Sequence, residues 1–261
     1  MLSFFGTFPG YEQMDYTQRF SLIRQAGFDC VLLGWIEKYE RPDYRDQPEL
    51  ARREGLLVEN IHADFHCASH IWEDTQEGQA AFGYYLKCVD DCSAFEVPTM
   101  VLHASYGTEH PPAGRLGLER FKRIAEKAER SGVNVAVENM CTAIGIARAF
   151  YVLERVDALG FCFDSGHHNA RKVPEEDMLA RFGHRLMALH LHDNDGTDDQ
   201  HLLPYDGTTD WPAQMRKIAA TGYQGPTALE VLHRGYEALP PEEFLSLAYE
   251  RAKKLEALRK L

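Results

Sequence analysis

Short apolar runs alternate along the chain with longer segments that have helical periodicity. The apolar runs predict β-strands, and they lie at residues 2–5, 30–33, 56–61, 100–102, 133–137, 160–163, 186–191 and 227–231. Apolar residues at helical spacing predict helices that include residues 16–26, 78–95, 118–131, 175–182, 212–221 and 242–258. The chain is therefore predicted to alternate between strands and helices from end to end.

Glycines mark the ends of several predicted helices. Gly27, Gly55, Gly132 and Gly222 each precede the next predicted strand by a few residues, as expected of a left-handed C-terminal cap. Strict alternation predicts a parallel sheet covered by helices, and eight units in 261 residues favour a single (β/α)8 TIM barrel over residues 1–261. The alternative is an open doubly wound sheet, which usually has a glycine-rich phosphate loop after its first strand. Residues 6–10 do not form such a loop.

Composition limits the classes of function. Hydrophobic residues make up 44% of the chain and charged residues 26%, which is typical of a globular domain with a large core. The sequence shows neither a bilayer-spanning stretch nor a signal peptide. Six cysteines without a CxxC pair indicate reduced thiols, so we expect a cytoplasmic location. A net charge of −12 without a basic run argues against a nucleic-acid partner, because phosphate backbones are bound by fields of lysine and arginine.

Polar side chains lie at the carboxyl ends of six consecutive predicted strands. In a parallel barrel these ends meet on one face, where the chemistry of such folds takes place. The residues are, in chain order, His62, His103, Glu138, Asp164 with His167, His190, and Glu230. Any one of them alone is more simply explained as a hydrogen-bonded or exposed residue of the rim. As an ordered set, they predict one common site.

The predicted site contains the carboxylates of Glu138, Asp164 and Glu230 together with the imidazole of His190. Three carboxylates in a partly dry pocket repel one another and would be forced to take up protons, whereas a divalent cation removes the conflict. Carboxylates with one imidazole suit Mn²⁺, Zn²⁺, Co²⁺ or Mg²⁺. We therefore predict that these four residues bind one divalent cation. His192 shares a strand face with His190, but His190 follows the apolar run directly and is predicted to lie deeper.

This ordered set resembles the pattern of the xylose isomerase-like barrels, which include sugar and sugar-phosphate isomerases and epimerases and the AP endonucleases of family 2. The similarity covers nearly the whole chain, and its segments are Val-Leu-His103-Ala, Val-Ala-Val-Glu138-Asn, Cys-Phe-Asp164-Ser-Gly-His167, Leu-His190-Leu-His-Asp193 and Ala-Leu-Glu230-Val. The resemblance implies that the four predicted ligands bind a metal. It also implies that Glu138 and Glu230 act as acid and base, and that His167 contacts the substrate.

The endonuclease branch of the superfamily binds further metals through additional ligands. The resemblance implies matches to these ligands at His62, His103, His167, Asp199 and His201. Asp199 and His201 are therefore candidates for a second metal site, although a role in tying down the loop over the pocket is the interpretation that we favour. The arginine that some ketose epimerases place shortly after the strand-7 histidine has no match in residues 194–200, so the sugar is not identified.

The predicted function is that of a metal-dependent sugar or sugar-phosphate isomerase or epimerase. The cation would stabilise the enediolate formed when a proton beside a carbonyl is removed, with Glu138 and Glu230 transferring the proton. The predicted substrate contacts are His167, His103, His62 and Trp35. We expect a small sugar or sugar phosphate as partner and a homodimer as a candidate assembly, with no membrane or nucleic acid.

Three alternatives remain open at this stage. The first is an endonuclease IV-like multi-metal phosphodiester hydrolase, which would bind three ions per chain rather than one. The second is an inosose or polyol dehydratase of the same fold, since that reaction also begins with proton removal beside a carbonyl. The third is a non-catalytic sugar-binding barrel, which would leave at least one of Glu138 and Glu230 without a chemical role.

Overall fold

The protein is a parallel barrel of eight strands surrounded by helices. The computed structural model describes residues 1–6, 14–36, 44–107, 111–171 and 177–260. The strands are β1 (Leu2–Phe5), β2 (Cys30–Trp35), β3 (Leu57–Ala63), β4 (Thr99–Leu102), β5 (Asn134–Glu138), β6 (Gly160–Asp164), β7 (Leu186–His190) and β8 (Thr227–Leu229). Each of the eight predicted strands is therefore present, within one or two residues of its predicted bounds.

Helices follow the strands along the chain. Those of the described residues are α1 (Tyr16–Ala26), α2 (Gln47–Arg53), α3 (Gln76–Ala94), α4 (Arg115–Arg130), α5 (Ala143–Leu153), α6 (Ser165–Asn169), α7 (Met178–Phe182), α8 (Trp211–Ala220) and α9 (Pro241–Arg259). The helix predicted at 175–182 is observed as α7, and residues 172–176 lie outside the described residues. The four predicted cap glycines have φ values between 67° and 114°, which confirms the left-handed conformation.

The sheet closes on itself between its first and last strands. Its order is β7-β6-β5-β4-β3-β2-β1-β8, and neighbouring strands are parallel. A parallel bridge between Leu191 and Leu229 joins the ends of β7 and β8, with the Leu191 amide donating to the Ala228 carbonyl at 2.9 Å. The Glu230 amide donates to the Leu191 carbonyl at 3.1 Å, so closure places Glu230 beside the end of β7. The barrel prediction is confirmed, and the open doubly wound alternative is excluded.

Two apolar layers stabilise the barrel. The larger one packs the outer face of the strands against the helices and contains most of the buried aromatic rings. The smaller one fills part of the barrel interior and consists of Val101, Ala136, Cys162 and Ala188. All six cysteines are free thiols, as predicted. Because side chains alternate between the two faces of a strand, the residues two positions after this inner cluster also point into the barrel.

Candidate metal centre

The predicted site lies at the carboxyl ends of the strands, directly beyond the inner apolar cluster. The residues that follow the four cluster members by two positions are His103, Glu138, Asp164 and His190. Glu138, Asp164 and His190 are each the last residue of their strand, and His103 immediately follows β4. The barrel geometry therefore brings together side chains that are far apart in the sequence.

Four predicted residues form a compact central group: Glu138, Asp164, His190 and Glu230. Each offers one ligand atom, and these atoms all lie within 4.8 Å of one another. Asp164 and His190 are fully buried, while Glu138 is 1% and Glu230 is 7% exposed. Acidic side chains are almost never buried to this extent unless they are paired or bind a metal.

His190 has the properties expected of a metal ligand. Its Nδ1 atom lies 3.1 Å from Glu138 Oε2 and 3.3 Å from Glu230 Oε2. Neither ring nitrogen is aligned for a hydrogen bond within the described structure, although both are buried. An imidazole nitrogen that faces two carboxylates without hydrogen-bond geometry is arranged as a ligand of a divalent cation would be. Such a cation would coordinate the unsatisfied nitrogen and offset the repulsion between the carboxylates. The central group therefore fits the metal that the sequence predicts.

Glu138 is surrounded by imidazoles. Its Oε2 atom lies 3.2 Å from His62 Nε2 and 3.3 Å from His103 Nε2, and its Oε1 atom lies 3.3 Å from His167 Nδ1. Burial raises the pKa of Glu138, but the positive charges of His190 and His103 overcome this effect and hold the pKa well below its ordinary value. Glu138 is therefore a carboxylate, which is the form that binds a cation or accepts a proton.

A second group, called the loop group, consists of His167, Asp199 and His201. Asp199 Oδ2 lies 3.3 Å from His167 Nε2 and 3.2 Å from His201 Nε2. Burial opposes protonation of these imidazoles, but Asp199 raises the pKa of His201 to about 9, and Asp164 and Asp199 raise that of His167 well above its ordinary value. The loop group adjoins the central group, because His167 Nδ1 lies 3.3 Å from Glu138 Oε1 and 3.7 Å from Asp164 Oδ1.

The loop that carries Asp199 and His201 is tied to the barrel. His201 Nδ1–H donates to the Glu230 carbonyl at 2.8 Å, and the Leu232 amide donates to the His201 carbonyl at 3.1 Å. His201 has a φ of 52°, in the left-handed region that a non-glycine residue adopts only when its surroundings hold it there. His201 thus joins the loop to the end of β8, and its Nε2 atom faces Asp199.

Asp193 holds this loop together from inside. Its carboxylate is fully buried and accepts hydrogen bonds from four N–H groups. Oδ1 accepts from the amides of Asn194 (3.0 Å) and Thr209 (3.1 Å), and Oδ2 accepts from the Tyr205 amide (3.0 Å) and Trp211 Nε1 (2.8 Å). Gly207 is required at this point, because a Cβ there would lie 2.4 Å from Asp193 Oδ1.

We expect Asp193→Ala to lower the free energy of unfolding by roughly 3 kcal/mol, because it leaves several buried N–H donors without an acceptor. Urea denaturation would measure the loss. The control is Asp195→Ala, which removes an exposed carboxylate of the same loop that accepts from the Thr197 amide, and this variant should keep the wild-type midpoint. Equal midpoints for Asp193→Ala and Asp195→Ala would contradict the role given to Asp193.

Two side chains differ from what the sequence suggested. Trp35 is 1% exposed, its Nε1 donates to Asp91 Oδ2 at 3.0 Å, and its ring packs edge-on against Tyr44 outside the barrel. The prediction that Trp35 contacts substrate is therefore corrected, because the residue faces the helical layer. His192, which the sequence ranked below His190, is fully buried and hydrogen-bonds Asp164 Oδ2 at 3.0 Å. Its position two residues after His190 was the available signal.

Comparison with known proteins finds relatives that match parts of this chain. The chain is 47% identical over 74 residues to the uncharacterized protein y4fM of Sinorhizobium fredii, which covers 28% of this chain and 24% of that protein. It is 28% identical over 141 residues to fructoselysine 3-epimerase of Shigella flexneri, which covers half of each chain. The chain thus aligns with a half or less of the length of these relatives.

Among the described residues, no helix is both long and apolar enough to cross a membrane.

The match at the level of fold and family is more extensive. A solved structure of the IOLI protein with a bound zinc atom superimposes with a TM-score of 0.79, at 18% identity, over 100% of this chain and 98% of that chain. The sequence model described as xylose isomerase-like TIM barrel matches residues 20–258. The chain therefore belongs to the xylose isomerase-like TIM barrel family.

Proposed function

We propose that this protein is a metal-dependent isomerase or epimerase that moves a proton beside the carbonyl of a sugar or sugar phosphate. One observation carries the proposal: the candidate ligand atoms of the central group lie within 4.8 Å of one another, and all four residues are buried. The fructoselysine 3-epimerase relative supports the reaction class. The cation would be held by Glu138, Asp164, His190 and Glu230. Its positive charge would make a C–H bond beside a carbonyl more acidic, because it stabilises the negative charge left when the proton is removed.

The two glutamates would transfer the proton. Glu138 ends β5 and Glu230 follows β8, so they approach the pocket from different sides of the barrel. One carboxylate removes the proton and the other returns it, either to the same carbon from the opposite face or to the neighbouring carbon. The first outcome is epimerisation and the second is isomerisation.

The surrounding histidines would orient the substrate. His62 donates its Nδ1–H to the Ala63 carbonyl at 2.9 Å, and His167 donates its Nδ1–H to the Asn139 carbonyl at 2.8 Å. Each ring is thereby fixed, and its Nε2 atom faces the pocket carboxylates. Both rings could form hydrogen bonds with substrate hydroxyl groups, and the buried walls exclude water from the reacting carbon.

The test is exchange of substrate C–H for deuterium in D₂O across a panel of ketoses and ketose phosphates, followed by NMR. We expect the Mn²⁺- or Co²⁺-loaded chain to incorporate deuterium beside the carbonyl of at least one panel member. Glu138→Gln protein, purified in parallel, controls for contaminating enzymes. Absence of exchange throughout the panel would contradict the proposal.

A second candidate function is multi-metal hydrolysis of a phosphodiester. It is favoured by the loop group and by the three histidines whose Nδ1–H groups donate to backbone carbonyls, namely His62, His167 and His201. Such anchoring leaves Nε2 as the ligating atom, a common arrangement in metal sites. The net charge of −12 argues against a nucleic-acid substrate. Hydrolysis of bis(4-nitrophenyl) phosphate by the Zn²⁺-loaded chain, without any ketose exchange, would select this candidate.

A further inference from the structure

We infer that His192 is a positioning residue, which orients the Asp164 carboxylate for the cation of the central group. The inference rests on the proposed function, because it assumes that Asp164 is a ligand. His192 lies beyond β7 and is not itself a member of the central group. It contacts Asp164, Ser165 and Gly166, three consecutive residues at the end of β6.

The contact with Asp164 fixes the direction of a hydrogen bond. His192 Nε2 lies 3.0 Å from Asp164 Oδ2, and an ionised carboxylate can only accept, so the ring carries its proton on Nε2. The other carboxylate oxygen, Oδ1, accepts from the His167 backbone amide at 2.6 Å. Asp164 is thus held at both oxygens, and its remaining lone pairs are available to the central group.

Ser165 and Gly166 hold the His192 residue in place. The Ser165 hydroxyl donates to the His192 carbonyl at 2.8 Å and accepts from the His192 amide at 3.0 Å. The imidazole lies directly against Gly166, where a Cβ would come within 1.9 Å of the ring atom Cε1. Only glycine at position 166 leaves room for the ring, so the backbone and the side chain of His192 are both fixed by the strand end that carries Asp164.

The His192 ring also contacts the loop group. The rings of His192 and His201 are stacked, with centroids 4.0 Å apart and an interplanar angle of 15°. His192 Nε2 also lies 3.6 Å from Asp199 Oδ1. His192 therefore contacts both groups, and its ring packs against both Gly166 and His201. These contacts restrict the ring in the orientation in which Nε2–H meets Asp164 Oδ2.

The test compares two amide replacements that place their N–H groups differently. The amide nitrogen of glutamine corresponds in position to histidine Nε2, whereas that of asparagine corresponds to Nδ1. We expect His192→Asn and His192→Phe to weaken binding of Co²⁺ alone about 10- to 100-fold, the usual effect of losing a hydrogen bond to a metal ligand. His192→Gln should recover most of the loss. Calorimetric titration of the metal-free chain measures the affinity, and thermal unfolding without metal reports whether each variant folds.

Asp164→Ala separates failure of the inference from failure of the proposed function. If Asp164→Ala binds Co²⁺ like the wild type, the central group is not the metal site and the proposed function fails. If Asp164→Ala weakens binding but His192→Asn and His192→Phe do not, the positioning role of His192 is wrong. Equal losses in His192→Gln and His192→Asn would also overturn it, because a role in packing alone does not distinguish the two amides.

Discussion

Glu138→Gln is expected to lower the rate of deuterium exchange into the ketose substrate by about 10²- to 10⁴-fold, the range usual for loss of an acid–base group. Glutamine keeps the shape of the side chain but cannot accept a proton at neutral pH. The same substitution weakens the central group, because Glu138 Oε2 lies between His190, His62 and His103 at 3.1–3.3 Å. Initial rates of exchange at saturating metal separate the loss of proton transfer from the loss of cation.

Glu230→Gln should cause a loss of similar size, because the scheme requires a carboxylate on each side of the substrate. The matched control is Glu119→Gln on the surface of α4, where the glutamate pairs with Arg115. That variant should exchange deuterium at the wild-type rate. If either Glu138→Gln or Glu230→Gln retains a near-normal rate while folding normally, the scheme with two carboxylates is wrong.

Removal of the metal is expected to abolish exchange and to lower the stability of the fold. Dialysis against a chelator leaves the carboxylates of Glu138, Asp164 and Glu230 with imidazoles as their only ion-pair partners among the described residues. A cation that binds only the folded chain stabilises it by about 2.7 kcal/mol at a hundredfold excess over its Kd. Thermal unfolding should therefore show a higher midpoint when Mn²⁺, Co²⁺ or Zn²⁺ is returned.

The activity should return with the same ions, and Ca²⁺ serves as the control. Calcium prefers six to eight oxygen ligands, which the carboxylates and imidazole of the central group do not supply. A chain shown by elemental analysis to be free of metal, yet exchanging deuterium at the full rate, would contradict the metal-dependent scheme.

Much of the site could be predicted because barrel geometry converts sequence position into spatial position. Parallel strands end on one face, and their side chains alternate with a period of two. An acidic residue or histidine at a strand end, two positions after a small apolar residue, therefore points into the barrel. Glu138 after Ala136 and His190 after Ala188 follow this rule. The strand pattern alone predicts that the four residues of the central group lie together.

Trp35 and His192 show where this rule fails. Trp35 also ends a strand, but β2 carries an irregularity in its pairing with β3 between Val31 and Leu32, and the direction of Trp35 depends on its contacts with Asp91 and Tyr44. These contacts join distant parts of the chain, so the local pattern does not reveal them. Depth along the strand does not reveal the role of His192, because its partner Asp164 lies on the neighbouring strand.

The loop after β7 was ambiguous for a similar reason. A segment rich in aspartate, asparagine and glycine is typical of a solvated turn, and nothing local distinguishes Asp193 from Asp195 or Asp199. In the structure, Asp193 is buried with four N–H donors, Asp195 is exposed, and Asp199 faces the pocket histidines. The contacts that distinguish them join residues distant in sequence, such as Asp193 with Trp211 and Asp199 with His167.

The most direct test of the central claim is elemental analysis of the purified chain beside His190→Ala, after extensive dialysis without chelator. His190→Ala removes the buried imidazole that faces Glu138 and Glu230. We expect one tightly bound divalent cation per wild-type chain and a much lower content in the folded variant. Equal metal content in the two proteins, or a wild-type chain that binds no divalent cation when it is supplied, would contradict it.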